Sequence, residues 1–258
     1  GSGTAGMEAA IVTCMPRGKK VLVAIGGKFG ERWAKVARVY GMDVDEVKVQ
    51  WGTAISPDLV AEKVKTGQYG AVIVVHSETS TATATDVQAL GRITGPTDTL
   101  LMVDGITSVG ALPLETDAWG LDIVASGSQK AMMLPPGLAN VAVSEKAWKA
   151  AAAVKPQAFY LDLKAYRKSI ADSDTPYTPA VSLIRGMKVA LDMIHKIGIE
   201  KVWARTALLA KATRTAAEAI GLKVYSSQPS DSVTGIWYPQ GIDDAFRPHG
   251  DARVVVRG

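Results

Sequence analysis

The sequence predicts an α/β fold: a mostly parallel sheet covered by helices on both faces, followed by a smaller, incomplete α+β unit. Three observations carry this expectation. Short apolar runs of strand length recur as far as about residue 150, helical patterns fall between most of them, and a long helical region separates them from a last group of strand-like runs. With 258 residues, 47% hydrophobic and 21% charged, the chain has ample apolar material for a substantial core.

Taken in order, the first element is a helix from Gly6 to Cys14. Met7, Ala10 and Ile11 fall there at helical spacing after the turn Gly1-Ser2-Gly3-Thr4. Strand-length runs follow at Lys20 to Ile25, Val44 to Val49, Ala71 to Val75, Thr99 to Val103, Ile123 to Ala125 and Leu138 to Val143. Between them, Gly30 to Tyr40, Pro57 to Thr66 and Asp86 to Gly95 read as helices. Alternation of this kind argues for parallel strands buried on both faces. Pro156 to Pro179 then reads as extended and polar. A helical run from Ala180 through Ile197 is broken by Gly198, and a second, Glu200 to Ile220, ends at Gly221 as its cap. Lys223 to Tyr225, Thr234 to Tyr238 and Arg253 to Val256 read as strands of the smaller unit. The expected division is 1–180 for the large domain and 181–258 for the connecting helices and partial C-terminal domain. Both chain boundaries read as cuts through structure.

Bulk properties narrow the function. The net charge is +4 with pI near 9.0, but 29 basic residues are scattered among 25 acidic ones with no dense basic run. That gives nucleic-acid binding little support and favours an anionic ligand. The one cysteine, Cys14, excludes an intrachain disulfide and suits a reducing compartment. Apolar runs such as Ala71 to Val75 are far too short to span a bilayer, so the expectation is a cytoplasmic protein with no membrane partner. No metal site is assigned.

The chemistry concentrates at strand ends. Asp104 follows the apolar run Leu100 to Val103 and Lys130 follows Ser126-Gly127-Ser128-Gln129, just after the next strand. An acid and an amine at neighbouring carboxyl ends of a parallel sheet match the needs of pyridoxal phosphate. A carboxylate keeps its ring nitrogen protonated and an amine holds its aldehyde as a Schiff base. By local sequence alone, a turn aspartate before Gly105 is the favoured reading of Asp104, and any single lysine is more often a solvated charge. Lys130 differs in lying among small residues, with the apolar segment Ala131 to Gly137 after it. Desolvation there would favour a neutral amine.

Other segments fit the same pocket. Ser2, Gly3 and Thr4 run into a helix whose free N–H groups can bind phosphate, although such a turn is often only a turn. His76-Ser77-Glu78-Thr79-Ser80-Thr81 puts polar side chains after a strand, or else caps the next helix. Phe29, flanked by glycines, is either a core contact or a ring awaiting a stacking partner.

Together these segments resemble the class V aminotransferases, pyridoxal phosphate enzymes of fold type I, and among them the alanine–glyoxylate, serine–glyoxylate and serine–pyruvate branch. The resemblance spans Gly1-Ser2-Gly3-Thr4 with Met7-Glu8-Ala9-Ala10, Gly27 to Trp33, His76 with Glu78-Thr79-Ser80-Thr81, Val103-Asp104, Ser126 to Lys130, Pro135-Pro136-Gly137 and Phe159-Tyr160-Leu161-Asp162. It implies Lys130 as the residue joined to pyridoxal 5'-phosphate, Asp104 at the ring nitrogen, Phe29 stacked on the ring, Ile106 beneath it and Thr79 near its phenolic oxygen. Ser2, Gly3, Thr4 and Gln129 would hold the phosphate. It further implies a homodimer with shared active sites, to which Thr178 and, less securely, Tyr177 of Thr175 to Pro179 would contribute phosphate contacts. The implied reaction is a ping-pong transamination of alanine or serine with glyoxylate or pyruvate. A desulfurase-like or phosphonate transaminase, or a non-catalytic coenzyme-binding or dimerising remnant, are the alternatives. In that family a leading arm and a carboxylate-clamping arginine lie outside the span of this chain, and Arg253 and Arg257 precede the arginine's expected place. Ala82 stands where relatives usually have glycine.

Overall fold

A computed structural model describes residues 1–237 and the backbone of Arg253–Arg257. Six strands form the central sheet: β1 (Lys20–Ile25), β2 (Val44–Lys48), β3 (Tyr69–Val75), β6 (Leu100–Asp104), β7 (Ile123–Gly127) and β8 (Ala139–Val143). Their spatial order is β2-β1-β3-β6-β7-β8. All neighbours are parallel except β8, which runs antiparallel to β7 at the edge. Every residue of β3, β6 and β7 is buried, as expected of central parallel strands covered on both faces. The edge strand β8 alternates between half-buried and exposed positions.

Successive side chains on a strand point to opposite faces, and the two cores divide accordingly. Val21, Val23, Ala71, Ile73 and Met102 join Met7, Ile11 and Trp33 of α1 (Gly3–Cys14) and α2 (Lys28–Val39), with Ala147 and Ala151 of α5 (Glu145–Ala152). Leu22, Val72, Val74, Leu101 and Val103 pack on the other face against Val60 of α3 (Pro57–Val64) and Leu90 of α4 (Val87–Thr94). Two helix starts show why the sequence turns where it does. Asp86 Oδ1 accepts from Ala89 N–H at 2.8 Å to cap α4, and Ser144 Oγ accepts from Ala147 N–H at 3.0 Å to cap α5.

The predicted α/β architecture is the observed one, with local corrections. The first helix begins at Gly3 rather than Gly6, so Gly3 and Thr4 already belong to its first turn while Ser2 is extended before it. The stretch 156–179, expected to be extended, contains α6 (Leu163–Ala171), capped by Asp162 and burying no residue. The helix α5 went unanticipated, as did the two-residue strands β4 (Ser77–Glu78) and β5 (Thr83–Ala84). The long helices are α7 (Val181–Ile197) and α8 (Ile199–Ala219), broken at Gly198 as expected. Gly221 takes φ 82°, the left-handed geometry that ends a helix, with Leu222 N–H reaching back to the Ala217 carbonyl at 3.0 Å. Lys223 to Tyr225 is not a strand; Val224 makes a single bridge to Ile236. The last pair is β9 (Val233–Trp237), antiparallel to β10 (Arg253–Arg257). Tyr238 of the expected strand lies outside the described residues. Among the described residues no helix is long and apolar enough to cross a membrane.

Candidate active site

The carboxyl ends of four adjacent strands, β1, β3, β6 and β7, carry most of the residues picked out in the sequence. Register explains this. Val75 pairs with Asp104 and Asp104 with Ala125, so the segments that follow β3, β6 and β7 leave the sheet side by side. His76 N–H donates to the Asp104 carbonyl at 3.1 Å, and Gly105 N–H donates to the Ala125 carbonyl at 2.8 Å. Thr79, Asp104 and Lys130 therefore belong to one rim of the sheet. This is the edge at which open parallel sheets bind ligands.

From β1 the chain passes through Gly26-Gly27 into α2, which brings Phe29 to the same rim. Gly27 is required there, since a Cβ would lie 2.7 Å from Cγ of Glu78. The buried Glu78 carboxylate accepts from Phe29 N–H and Gly30 N–H at 3.1 Å each through Oε2, and from Ser80 N–H at 3.2 Å through Oε1. An anion at a helix N-terminus satisfies donors that have no partner within the helix. Phe29 is half-buried, with the Arg32 guanidinium 4.9 Å from its ring centre.

Asp104 is the most constrained group of the site. It is buried, and both carboxylate oxygens accept a hydrogen bond: Oδ2 from Trp33 Nε1–H and Oδ1 from Ile106 N–H, each 2.9 Å. Burial pushes its pKa up to about 6, the two hydrogen bonds pull it down, and the nearby Glu78 and Arg32 charges raise and lower it respectively. Its environment thus prepares a carboxylate that gains from a cationic partner.

Opposite this, α1 starts at Gly3 with no side-chain cap from Ser2. A Cβ on Gly3 would lie 2.5 Å from Cδ1 of Ile106, so Ile106 packs directly against the start of α1. A Cβ on Gly127 would lie 3.1 Å from Gln129 Oε1 and 3.4 Å from Gly3 N. Gly3, Gly127 and Gln129 therefore lie close together. Ser2 is exposed and Thr4 half-buried beside them. The following loop is clamped by Ser128, whose hydroxyl donates to the Pro135 carbonyl at 2.8 Å and accepts from Leu138 N–H at 3.2 Å. Lys130 is half-buried at its start, with Met133 N–H closing a turn onto the Lys130 carbonyl at 2.9 Å.

The fit to a phosphate-bearing pyridine can be judged on orphaned atoms. Among the described residues, the buried side-chain polar atoms without a partner are His76 Nδ1, Ser108 Oγ, Gln129 Oε1 and Trp203 Nε1. The first three lie within four residues of the ends of β3, β6 and β7. Unpaired buried groups are rare in native proteins, and these three follow neighbouring strands, where they can offer hydrogen bonds to a ligand. The N–H groups at the start of α1, with no side-chain cap, suit an anion, and the buried acid Asp104 suits a protonated ring nitrogen.

Thr178 and Tyr177 stand apart from this group. Thr178 is exposed, while Tyr177 donates its hydroxyl to the Phe159 carbonyl at 2.6 Å in a cluster with Phe159, Tyr160 and Tyr166. Ala82 takes φ 51°, a left-handed conformation that accounts for glycine being the easier residue there. Sequence reasoning quoted Trp33, Glu78 and Ser128 within motifs but gave them no task. For Glu78 the available signal was an acid three residues after a strand.

The family model "Aminotransferase class-V" matches residues 1–241. A protein named "Soluble hydrogenase, small subunit" from Synechococcus is 42% identical over 94% of this chain and 64% of its own length. The serine–glyoxylate aminotransferase of Methylorubrum extorquens is 37% identical over 95% of this chain and 64% of its own length. The crystal structure of alanine–glyoxylate aminotransferase from Nostoc sp. superposes with a TM-score of 0.90 at 30% identity, covering 95% of this chain and 66% of that one. The chain thus spans just under two thirds of the length of the relatives it matches. On the family match over nearly all of its length, and with a fold shared with solved aminotransferases, the chain belongs to the class V aminotransferase family.

Proposed function

We propose that this chain carries the coenzyme site of a pyridoxal 5'-phosphate-dependent aminotransferase that moves the amino group of a small amino acid, alanine or serine, to glyoxylate or pyruvate. The observation that carries the reading is the shared rim: an aspartate restrained at both oxygens and a lysine on the next strand end, with orphaned polar atoms around them. When bound, pyridoxal phosphate supplies an electron sink for a carbanion at the substrate's α-carbon. The residues do the rest. Lys130 would hold the coenzyme aldehyde through Nζ and carry the α-proton. Asp104 would keep a proton on the ring nitrogen by opposite charge. Phe29 and Ile106 would flank the ring, Thr79 would serve its phenolic oxygen, and Ser2, Gly3, Thr4 and Gln129 would take the phosphate.

We also propose a homodimer, with the Thr175 to Pro179 segment reaching the partner's phosphate site. The helix α7 buries none of its residues and exposes Val189 at 58% and Met193 at 53%, and Leu208 of α8 is 66% exposed, which supports an interface along these helices. Cys14 gives a desulfurase reading no support. The one cysteine, Cys14, is buried within α1, and burial pushes its thiol up to about 12, so it is no nucleophile. The hydrogenase name of the cyanobacterial relative describes that protein; the rim described here is built for an amine.

The test is a single half-reaction. Protein loaded with pyridoxal phosphate is mixed with alanine or serine, and the 2-oxo acid released is quantified. One equivalent of pyruvate or hydroxypyruvate per site, absent in Lys130→Ala, is expected. Bound coenzyme with no oxo acid from either donor would identify a non-catalytic binder instead.

A further inference from the structure

Trp33 is fully buried on α2, one helical turn beyond Phe29, and its Nε1–H lies 2.9 Å from Asp104 Oδ2 across 71 residues of sequence. The other carboxylate oxygen is held by Ile106 N–H. We propose that Trp33 is a positioning residue for the coenzyme, fixing the Asp104 carboxylate in place and keeping it ionised with a donor that brings no charge of its own. The inference rests on the coenzyme reading above.

The choice of donor matters. An arginine or lysine here would hold the carboxylate equally well, but its positive charge would cancel the field that favours a protonated ring nitrogen. An indole N–H stabilises the anion and leaves its full charge to act on the ligand. It also cannot titrate, so only the carboxyl's own proton alters its hold. The single helix α2 then links two tasks. Its first turn, pinned by Glu78, sets Phe29, and its second turn sets Asp104 through Trp33. Phe29 and Trp33 are four residues apart and share one helix face.

Trp33→Phe removes the N–H but also leaves space in the core, so the decisive variant replaces Trp33 by benzothienylalanine, which keeps the bicyclic shape and lacks the donor. Two readouts are taken. In the coenzyme-free protein, the Asp104 carboxyl is titrated by carbon-13 NMR with labelled aspartate. In the loaded protein, pyridoxal phosphate affinity and the pH midpoint of its visible band are measured. Loss of the N–H should raise the Asp104 midpoint, weaken coenzyme binding roughly tenfold, the scale of one hydrogen bond to a charged group, and shift the band's midpoint. In an Asp104→Asn background the same replacement should change neither affinity nor midpoint. An unchanged Asp104 titration with unchanged affinity in the isostere overturns the proposal while leaving the coenzyme reading intact. Equal losses with and without Asp104 also overturn it, because Trp33 would then act only through packing. Wild-type protein that binds no pyridoxal phosphate overturns the coenzyme reading itself and the proposal with it.

Discussion

Glu78 and Phe29 are joined by a hydrogen bond from the Phe29 N–H to Glu78 Oε2 at 3.1 Å, which ties the end of β3 to the first turn of α2. The same oxygen accepts from Gly30 N–H, so one buried carboxylate fixes the helix that carries the candidate stacking ring. Glu78→Ala would orphan these donors and open space beside Gly27. We expect a loss of about 2 kcal/mol in unfolding free energy together with weaker pyridoxal phosphate binding, and a smaller effect for Glu78→Gln. Thermal melts and coenzyme titrations on both variants check this; retained affinity in Glu78→Ala would remove Glu78 from the account of the site.

Asp122 supplies the contrasting case. It is buried at the opposite, amino-terminal end of β7, where Oδ2 accepts from Leu101 N–H at 2.9 Å and pairs with Lys146 at 3.2 Å, while Oδ1 accepts from Ser144 Oγ at 2.8 Å. Its removal breaks three contacts between β6, β7 and α5. Asp122→Ala is expected to cost about 2–3 kcal/mol of stability with coenzyme affinity unchanged at a temperature where the variant stays folded. Denaturant unfolding and a coenzyme titration on the same preparation separate the two effects.

Much of this was legible in the sequence, and the limits have physical causes. A central parallel strand is buried on both faces, so Lys20–Ile25 reads as an unbroken apolar run and its bounds match to the residue. The helix α6 fully buries no residue, and its apolar stripe of Leu163, Tyr166 and Ile170 is too short to stand out among the polar residues around it. Asp104, Thr79 and Lys130 could be picked as candidates because each stands at or just after the end of a strand in the chain. The work of Trp33 and Glu78 was not, because their partners lie 71 and 48 residues away and only the sheet register brings them together.

The pH dependence of coenzyme binding follows from Asp104. Its pKa in the coenzyme-free fold is raised to about 6 from an ordinary carboxylate value of 3.8, so between these values the folded chain holds a proton that the unfolded chain has released. That contribution to stability is present at low pH and fades as the pH rises through about 6. A cationic ring needs the ionised form, so affinity for pyridoxal phosphate should fall as the pH drops below about 6. Fluorescence titrations across this range should show the fall in wild type and a flatter, weaker profile in Asp104→Asn. A wild-type affinity independent of pH there would contradict the assigned charge pairing.

His76 gives the opposite sign. Burial lowers its pKa from 6.5 to about 4, with Asp86 opposing weakly, so the unfolded chain takes up a proton in that window and the folded one does not. Stability is therefore lost as the pH falls from about 6.5 toward 4, by up to roughly 3 kcal/mol. His76→Gln should flatten the acid side of a stability profile measured by chemical denaturation. An unaltered acid limb in that variant would assign the acid sensitivity to other groups.

On the proposed reading, the rim of β3, β6 and β7 is a pyridoxal phosphate site with Lys130 as the anchoring amine. The most direct measurement is reduction of the coenzyme-loaded protein with borohydride, followed by peptide mapping. One pyridoxyl group per chain, on Lys130, with no visible band and no label in Lys130→Ala, is the predicted result. Labelling at another lysine, or none at all at saturating coenzyme, would contradict it.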